Sequence, residues 1–138
     1  MKRGPITISF EKAVEAAEKA EACAPALDTI RSLGSWKKLL THRNAPYLLY
    51  WYALSVIQGR WLEAELTIAT SPEWAFGYAR DVIHGRWPEA EPTIATDPKW
   101  AYQYALDVIR DRWPEAEPVI ATSPDWAYQY ALDVVCTR

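Results

Sequence analysis

Histidine, cysteine and glycine are scarce in this 138-residue chain, at two, two and five residues. Cys23 and Cys136 sit near opposite ends and form no Cys-x-x-Cys pair. That excludes a mini-protein built on disulfides and leaves two free thiols, as expected in a reducing compartment. His42 stands beside Lys37, Lys38 and Arg43 with no cysteine or carboxylate at ligand spacing, and His84 is remote from it. Zinc ligands would have to converge from far apart, so no metal site is expected, and no cofactor. The few glycines build no phosphate-cradling loop, and no Ser/His/Asp order or Glu-x-x-His pattern is present. Long apolar runs are missing as well. The longest, Tyr47 to Ile57, is broken by Ser55, whereas a membrane span needs about 20 apolar residues, so it reads as a buried core helix. The basic start Met1-Lys2-Arg3-Gly4-Pro5 is followed by no apolar stretch, so no cleaved signal peptide is expected. These absences describe a soluble, cytoplasmic protein without membrane contact.

Other residue types are abundant. Hydrophobic residues make up 50% and charged residues 24% of the chain, with ten prolines, eight tryptophans and eight tyrosines. Such a composition buries a core and is not that of a disordered chain. The length suits one domain.

Comparison of the chain with itself supplies the organisation. Trp61, Trp74, Trp87, Trp100, Trp113 and Trp126 recur every 13 residues, so two interleaved sets each repeat every 26. The string Trp87-Pro88-Glu89-Ala90-Glu91-Pro92-Thr93-Ile94-Ala95-Thr96 returns from Trp113 to Thr122, and from Trp61 to Thr70 with Leu62 and Leu66 for the prolines. Trp100-Ala101-Tyr102-Gln103-Tyr104-Ala105-Leu106-Asp107-Val108 returns at Trp126 to Val134, with an earlier version at Trp74 to Val82. A worn copy runs from Pro46 to Arg60, with Leu48 in the tryptophan position, and Trp36 opens its degenerate first half. About four units are thus expected at 36–60, 61–86, 87–112 and 113–138, behind an N-terminal cap at 1–35, all in one continuous domain.

Each unit reads as two short helices. Ser71-Pro72, Asp97-Pro98 and Ser123-Pro124 place a capping residue before proline at the first helical position. The longer helix runs from Pro98 to about Arg110, with Ala101, Tyr104, Ala105 and Val108 on one stripe. Gly59 and Gly85 stand where a left-handed C-cap belongs. Pro88 opens a second helix of about two turns, made irregular by Pro92, with Ala90 and Ile94 inward. Ahead of the repeats, Ser9 is expected to cap a helix from Phe10 to about Ala22, a second helix to run from Pro25 to Leu33 and stop at Gly34, and Ser35 to cap Trp36 to Thr41. The expected fold is all-α, an α-solenoid of helical hairpins with a helical cap.

The stretch from Asp97-Pro98-Lys99-Trp100-Ala101-Tyr102 through Arg112-Trp113-Pro114-Glu115-Ala116-Glu117 resembles short tandem repeats of uncharacterised bacterial and phage proteins. The resemblance covers residues 45–138 and is most specific in the string Arg-Trp-Pro-Glu-Ala-Glu. It implies a helical repeat fold and carries no activity over.

Charge and variation among the copies point toward a task. Residues 1–60 hold nine Lys/Arg against five Asp/Glu, or +4, and residues 61–138 hold six against thirteen, or −7. The acidic half opposes nucleic-acid binding through the repeats and suits a basic protein partner. The repeated carboxylates Glu63/Glu65, Glu89/Glu91 and Glu115/Glu117 read as structural, as do Asp81, Asp107 and Asp133. Asp107 is expected to accept the N–H groups of Arg112 and Trp113 at the turn between helices, and Asp81 those of Arg86 and Trp87. Trp51, outside the 13-residue register, is expected under the N-terminal cap. Copies differ at Glu73/Lys99/Asp125 and at His84/Arg110/Cys136, as the exposed face of a binding array would. Tyr102 and Tyr128 are further candidates for binding. Trp126 and Val134 join them, because the last unit shows lattice residues that inner units use for stacking, and a homodimer through this C-terminal repeat is the simplest closure. The expected function is a non-enzymatic protein-interaction module, with an inhibitor, antidote or counter-defence protein of a phage or mobile element as the role that fits. The alternative is an enzyme with a site near the basic cluster Lys37 to Arg43.

Overall fold

Proline at the first turn lacks an N–H that no helix needs there, and a preceding Ser or Asp supplies the acceptor that the next amides lack. The computed structural model, which describes residues 6–20 and 24–136, shows this device before Pro72 and Pro98. Asp97 accepts from the Lys99 and Trp100 amides, and Ser71 from Trp74. Ser9 and Ser35 cap in the same way, through Lys12 and Lys38. Ser123 is the exception: its backbone is extended like the others, but its hydroxyl makes no capping bond.

The protein is all-α, with no strand among the described residues. Two compact units divide between Ile68 and Ala69, inside the second repeat. The first holds α1 (Phe10–Lys19), α2 (Ala24–Leu33), α3 (Trp36–Leu40), α4 (Ala45–Tyr52) and α5 (Leu62–Ile68). The second holds α6 (Pro72–Tyr78), α7 (Glu91–Ile94), α8 (Pro98–Tyr104), α9 (Glu117–Ile120) and α10 (Pro124–Tyr130). Helix α1 ends at Lys19, short of the expected Ala22; residues 21–23, including Cys23, lie outside the described residues. Helix α2 stops at Gly34, whose φ of 78° is the left-handed stop its sequence announced. No helix among the described residues is long and apolar enough to cross a membrane.

In the first unit, Trp36 stands edge-on to both Phe10 and Trp61, with centroids 5.3 and 5.7 Å away, and its indole N–H donates to the Ile8 carbonyl. Trp51 is buried, with its ring centre 6.5 Å from that of Tyr52. The Tyr52 hydroxyl donates to the Ala13 carbonyl, tying α4 to α1.

Two features of the repeat differ from expectation. First, each long helix finishes in a π-helical turn, at Ala53–Ile57, Ala79–Ile83, Ala105–Ile109 and Ala131–Val135. In the first three copies the left-handed residue that follows is Gln58, His84 or Arg110, with φ near 60°. Gly59 and Gly85 come one position later and have no positive φ. Their amides reach back to the Ala53 and Ala79 carbonyls, at 3.4 and 3.2 Å. That is why Asp111 can stand in the glycine position of the next copy. Second, Pro88 opens only a turn, and helix begins at Glu91. Pro114 opens a single 3-10 turn, Pro114–Ala116, before α9. Where leucines replace both prolines, α5 is continuous over seven residues. A proline ring meets the carbonyl four residues back and donates nothing to it, so Pro92 and Pro118 each fit only at the start of a new helix.

The inner surface of the second unit is made of small residues and aromatics. Ala90, Ala101, Ala105 and Ala116 are inaccessible, with Ile94 and Ile120 beside them. Trp87 and Trp113 are buried and pack against Tyr78 and Tyr104, each pair with centroids 4.9 Å apart. Trp100 and Trp126 are only half-buried. Helix α8 packs on α6, and α10 on α8.

Candidate functional site

The string Arg-Trp-Pro-Glu-Ala-Glu makes a polar clamp. Arg86 grips Glu91 through two bonds of 2.9 and 2.8 Å. Tyr104, thirteen residues further on, donates its hydroxyl to the same carboxylate at 2.7 Å and accepts the Trp87 amide at 2.8 Å. The next copy repeats each contact: Arg112 with Glu117, Tyr130 to Glu117 at 2.6 Å, and the Trp113 amide to Tyr130 at 2.9 Å. In the first unit Arg60 holds Glu65 in the same two-bond geometry, and Glu65 is only 1% exposed. The guanidinium of Arg86 holds the Glu91 carboxyl below its usual range, and Arg112 does so for Glu117. Burial pushes the Tyr104 and Tyr130 phenols up.

This clamp corrects the expected role of the aspartates. The tryptophan amides at the turn are taken by tyrosine hydroxyls, not by Asp81 or Asp107. Asp81 pairs with its neighbour Arg80, and the Arg112 amide donates to Asp111 at 2.7 Å. Of the repeated glutamates, Glu65, Glu91 and Glu117 are structural, while Glu89 and Glu115 remain exposed. Glu63 accepts from the Thr7 amide.

A second column of aromatics forms the candidate site. Phe76 lies on Trp100 with centroids 5.6 Å apart and planes tilted by 32°. One repeat later Tyr102 lies on Trp126 at 5.4 Å and 31°. The Tyr102 hydroxyl donates to Asp133 at 2.6 Å, and burial with this bond pushes its pKa up to about 12. The third member, Tyr128, is 63% exposed. Leu132, one turn further along, is 42% exposed. A groove of about 440 Å³ runs between α8 and α10, lined by Tyr102, Gln103, Asp125, Trp126, Tyr128 and Gln129.

The groove therefore gathers four of the seven residues expected to bind a partner: Tyr102, Asp125, Trp126 and Tyr128. Tyr102 itself is only 6% exposed, so it serves as groove wall and hydrogen-bond donor rather than free surface. Val134 is 1% exposed and offers a partner nothing. It belongs to the same stripe as Tyr130, which helical spacing placed inward; what failed is the expectation that this stripe stands open in the 113–138 unit. Glu73 and Lys99 are exposed on the first turns of α6 and α8, but Lys99 lies over its own neighbour, with its ammonium 4.7 Å from the Trp100 ring centre. Sequence reading missed Gln103, Gln129 and Leu132 in this region. The signal was there: the column Arg80, Leu106, Leu132 changes from charged to apolar along the chain.

Two other places gather polar side chains. A polar cleft of about 330 Å³ is lined by Arg80, His84, Gly85, Asp107, Val108 and Arg110. Arg80 is already engaged there, bonded to Asp81 and lying over the Phe76 ring at 4.9 Å. In the basic cluster, Lys37, Lys38 and Arg43 are exposed, whereas His42 accepts the Asn44 amide through Nδ1 and so helps build the turn after α3. Among the described residues no group of three or more His, Cys, Asp or Glu side chains gathers as metal ligands would. No protein-family model, no curated protein and no solved structure matches the chain.

Proposed function

We propose that the chain is a non-enzymatic protein-interaction module that binds through the outer face of its last repeat. The observation that carries this reading is the exposure of Tyr128 and Leu132 on a repeat whose earlier copies bury the same aromatic position, at 3% for Phe76 and 6% for Tyr102. Large apolar side chains left open beside a groove are the usual mark of a protein-binding surface. Asp125 gives the groove a negative charge, and residues 61–138 are acidic as a whole, which suits a partner with a basic rim and speeds its approach. In this reading the module works in the cytoplasm, and an inhibitor or antidote that occupies another protein's surface is the role it fills. The test is affinity capture from the native host's lysate, with the wild-type chain and with the double variant Tyr128→Asp/Leu132→Asp, both shown to be folded by circular dichroism. A protein retained by the first and lost by the second is expected. Identical captures would refute a role for this face.

A further inference from the structure

The occupied copies of the aromatic column define what the open one fits. We infer that Tyr128 is the receptor for a helix of another polypeptide that carries a tryptophan in its first turn and an acidic residue seven positions later. This inference rests on the interaction-module reading and specifies its partner.

The two inner stacks supply the chemistry. Phe76 and Tyr102 each receive an indole at nearly the same centroid distance and tilt, from the third residue of a proline-initiated helix. Where the receptor is phenylalanine, an indole is enough. Where it is tyrosine, the same arriving helix also brings Asp133 to the hydroxyl, seven residues after Trp126. Seven residues are about two helical turns, so both groups lie on one face and reach the receptor together. Tyr128 is the tyrosine kind and therefore calls for both. The groove beside it is lined by the uncharged Gln103 and Gln129 and, at the start of α10, by the carboxylate of Asp125, and its volume leaves room for an approaching helix.

A second copy of this chain does not meet that need from its repeat helices in the second unit. Its Trp100 and Trp126 are already seated on Phe76 and Tyr102, and Trp74 of α6, with Asp81 seven positions later, is not without a partner either. Two-fold pairing would oppose Tyr128 to Tyr128, each offering a hydroxyl with no carboxylate from the Trp–Asp arrangement.

The probe is a synthetic peptide with the sequence of residues 111–136 and Cys136→Ser, which carries Trp126 and Asp133 on one helix. Its binding to the full chain is read by fluorescence polarisation. The wild-type peptide is expected to bind, and a Trp126→Ala peptide to lose about tenfold or more, as for loss of one aromatic anchor. Tyr128→Ala in the full chain should lose as much. Tyr128→Phe should lose less, and should abolish the difference between the Asp133 peptide and its Asp133→Asn form. Equal binding of the Trp126→Ala peptide, indifference to Tyr128→Ala, or no binding at about 1 mM peptide overturns the inference. So does a homodimer in sedimentation that Tyr128→Ala dissolves and the peptide does not displace. If the peptide fails while the lysate partner is still lost with Tyr128→Asp/Leu132→Asp, the tryptophan-helix inference falls and the module reading stands.

Discussion

Replacing Tyr104 by phenylalanine removes one oxygen atom and keeps the buried ring, so it isolates the clamp. That oxygen serves two partners at once, accepting the Trp87 amide and donating to Glu91. Tyr104 is inaccessible and Trp87 nearly so. Leaving a buried amide unpaired costs about 1–3 kcal/mol, and a lost bond to a carboxylate about 1.5–3 kcal/mol, with partial overlap because Arg86 still holds Glu91. The expected loss is about 2–4 kcal/mol, read as a lower urea midpoint at unchanged slope. Acid supplies a second reading. Glu91 titrates below its ordinary value of 4.5 in the folded protein. Its contribution is therefore complete above that ordinary value and disappears as pH falls through the lower, folded one. The gap between wild type and Tyr104→Phe should narrow over that acidic window. Combining Tyr104→Phe with Glu91→Gln should cost less than the two separate losses together, because both act on one network. A Tyr104→Phe midpoint within about 0.5 kcal/mol of wild type would refute the argument, since surface-like substitutions fall in that range.

Four further outcomes follow from the same geometry. Trp87→Ala should destabilise by about 3–5 kcal/mol and Trp100→Ala by roughly half as much, because only the first ring is fully enclosed; equal urea midpoints would contradict this. Gly85→Ala should be neutral or stabilising by up to about 1 kcal/mol, since φ there is not positive and a Cβ meets nothing within 4 Å. Arg110→Gly should gain about 0.5–1 kcal/mol by relieving a left-handed arginine, and thermal melts of both variants check the two claims. Pro88→Leu/Pro92→Leu should lengthen α7 toward the seven residues of α5 and raise the helical signal in circular dichroism; an unchanged spectrum would show that the prolines are not what shortens it.

The period, the proline starts at 72, 98 and 124, and the stop at Gly34 were legible in the sequence because they are local. A capping oxygen, a missing amide and a left-handed residue act within one turn. The clamp was not legible, because Tyr104 and Glu91 lie thirteen residues apart and nothing local tells a hydroxyl from a carboxylate as acceptor for the Trp87 amide. The exposure of Tyr102 and Val134 was misread for a related reason. Tyr102 is covered by Trp126, and Val134 is enclosed although its unit was expected to leave its inward stripe open. Tyr128 was singled out as a candidate from the repeat pattern, but its openness depends on which neighbour covers it, and that is a property of packing.

Each clamp is closed by residues of its own stretch, 86–104 in one copy and 112–130 in the next. Duplicating or excising one 26-residue period in frame therefore orphans no arginine, glutamate or indole-bearing amide. The stretches Trp87–Thr96 and Trp113–Thr122 differ only at Thr93/Val119, the kind of likeness on which unequal crossing-over between repeats depends. An array of this kind can gain or lose a whole period in a single recombination event, and the polar interior of the product is already satisfied. Length is then a trait that inheritance can vary without first having to re-evolve the fold.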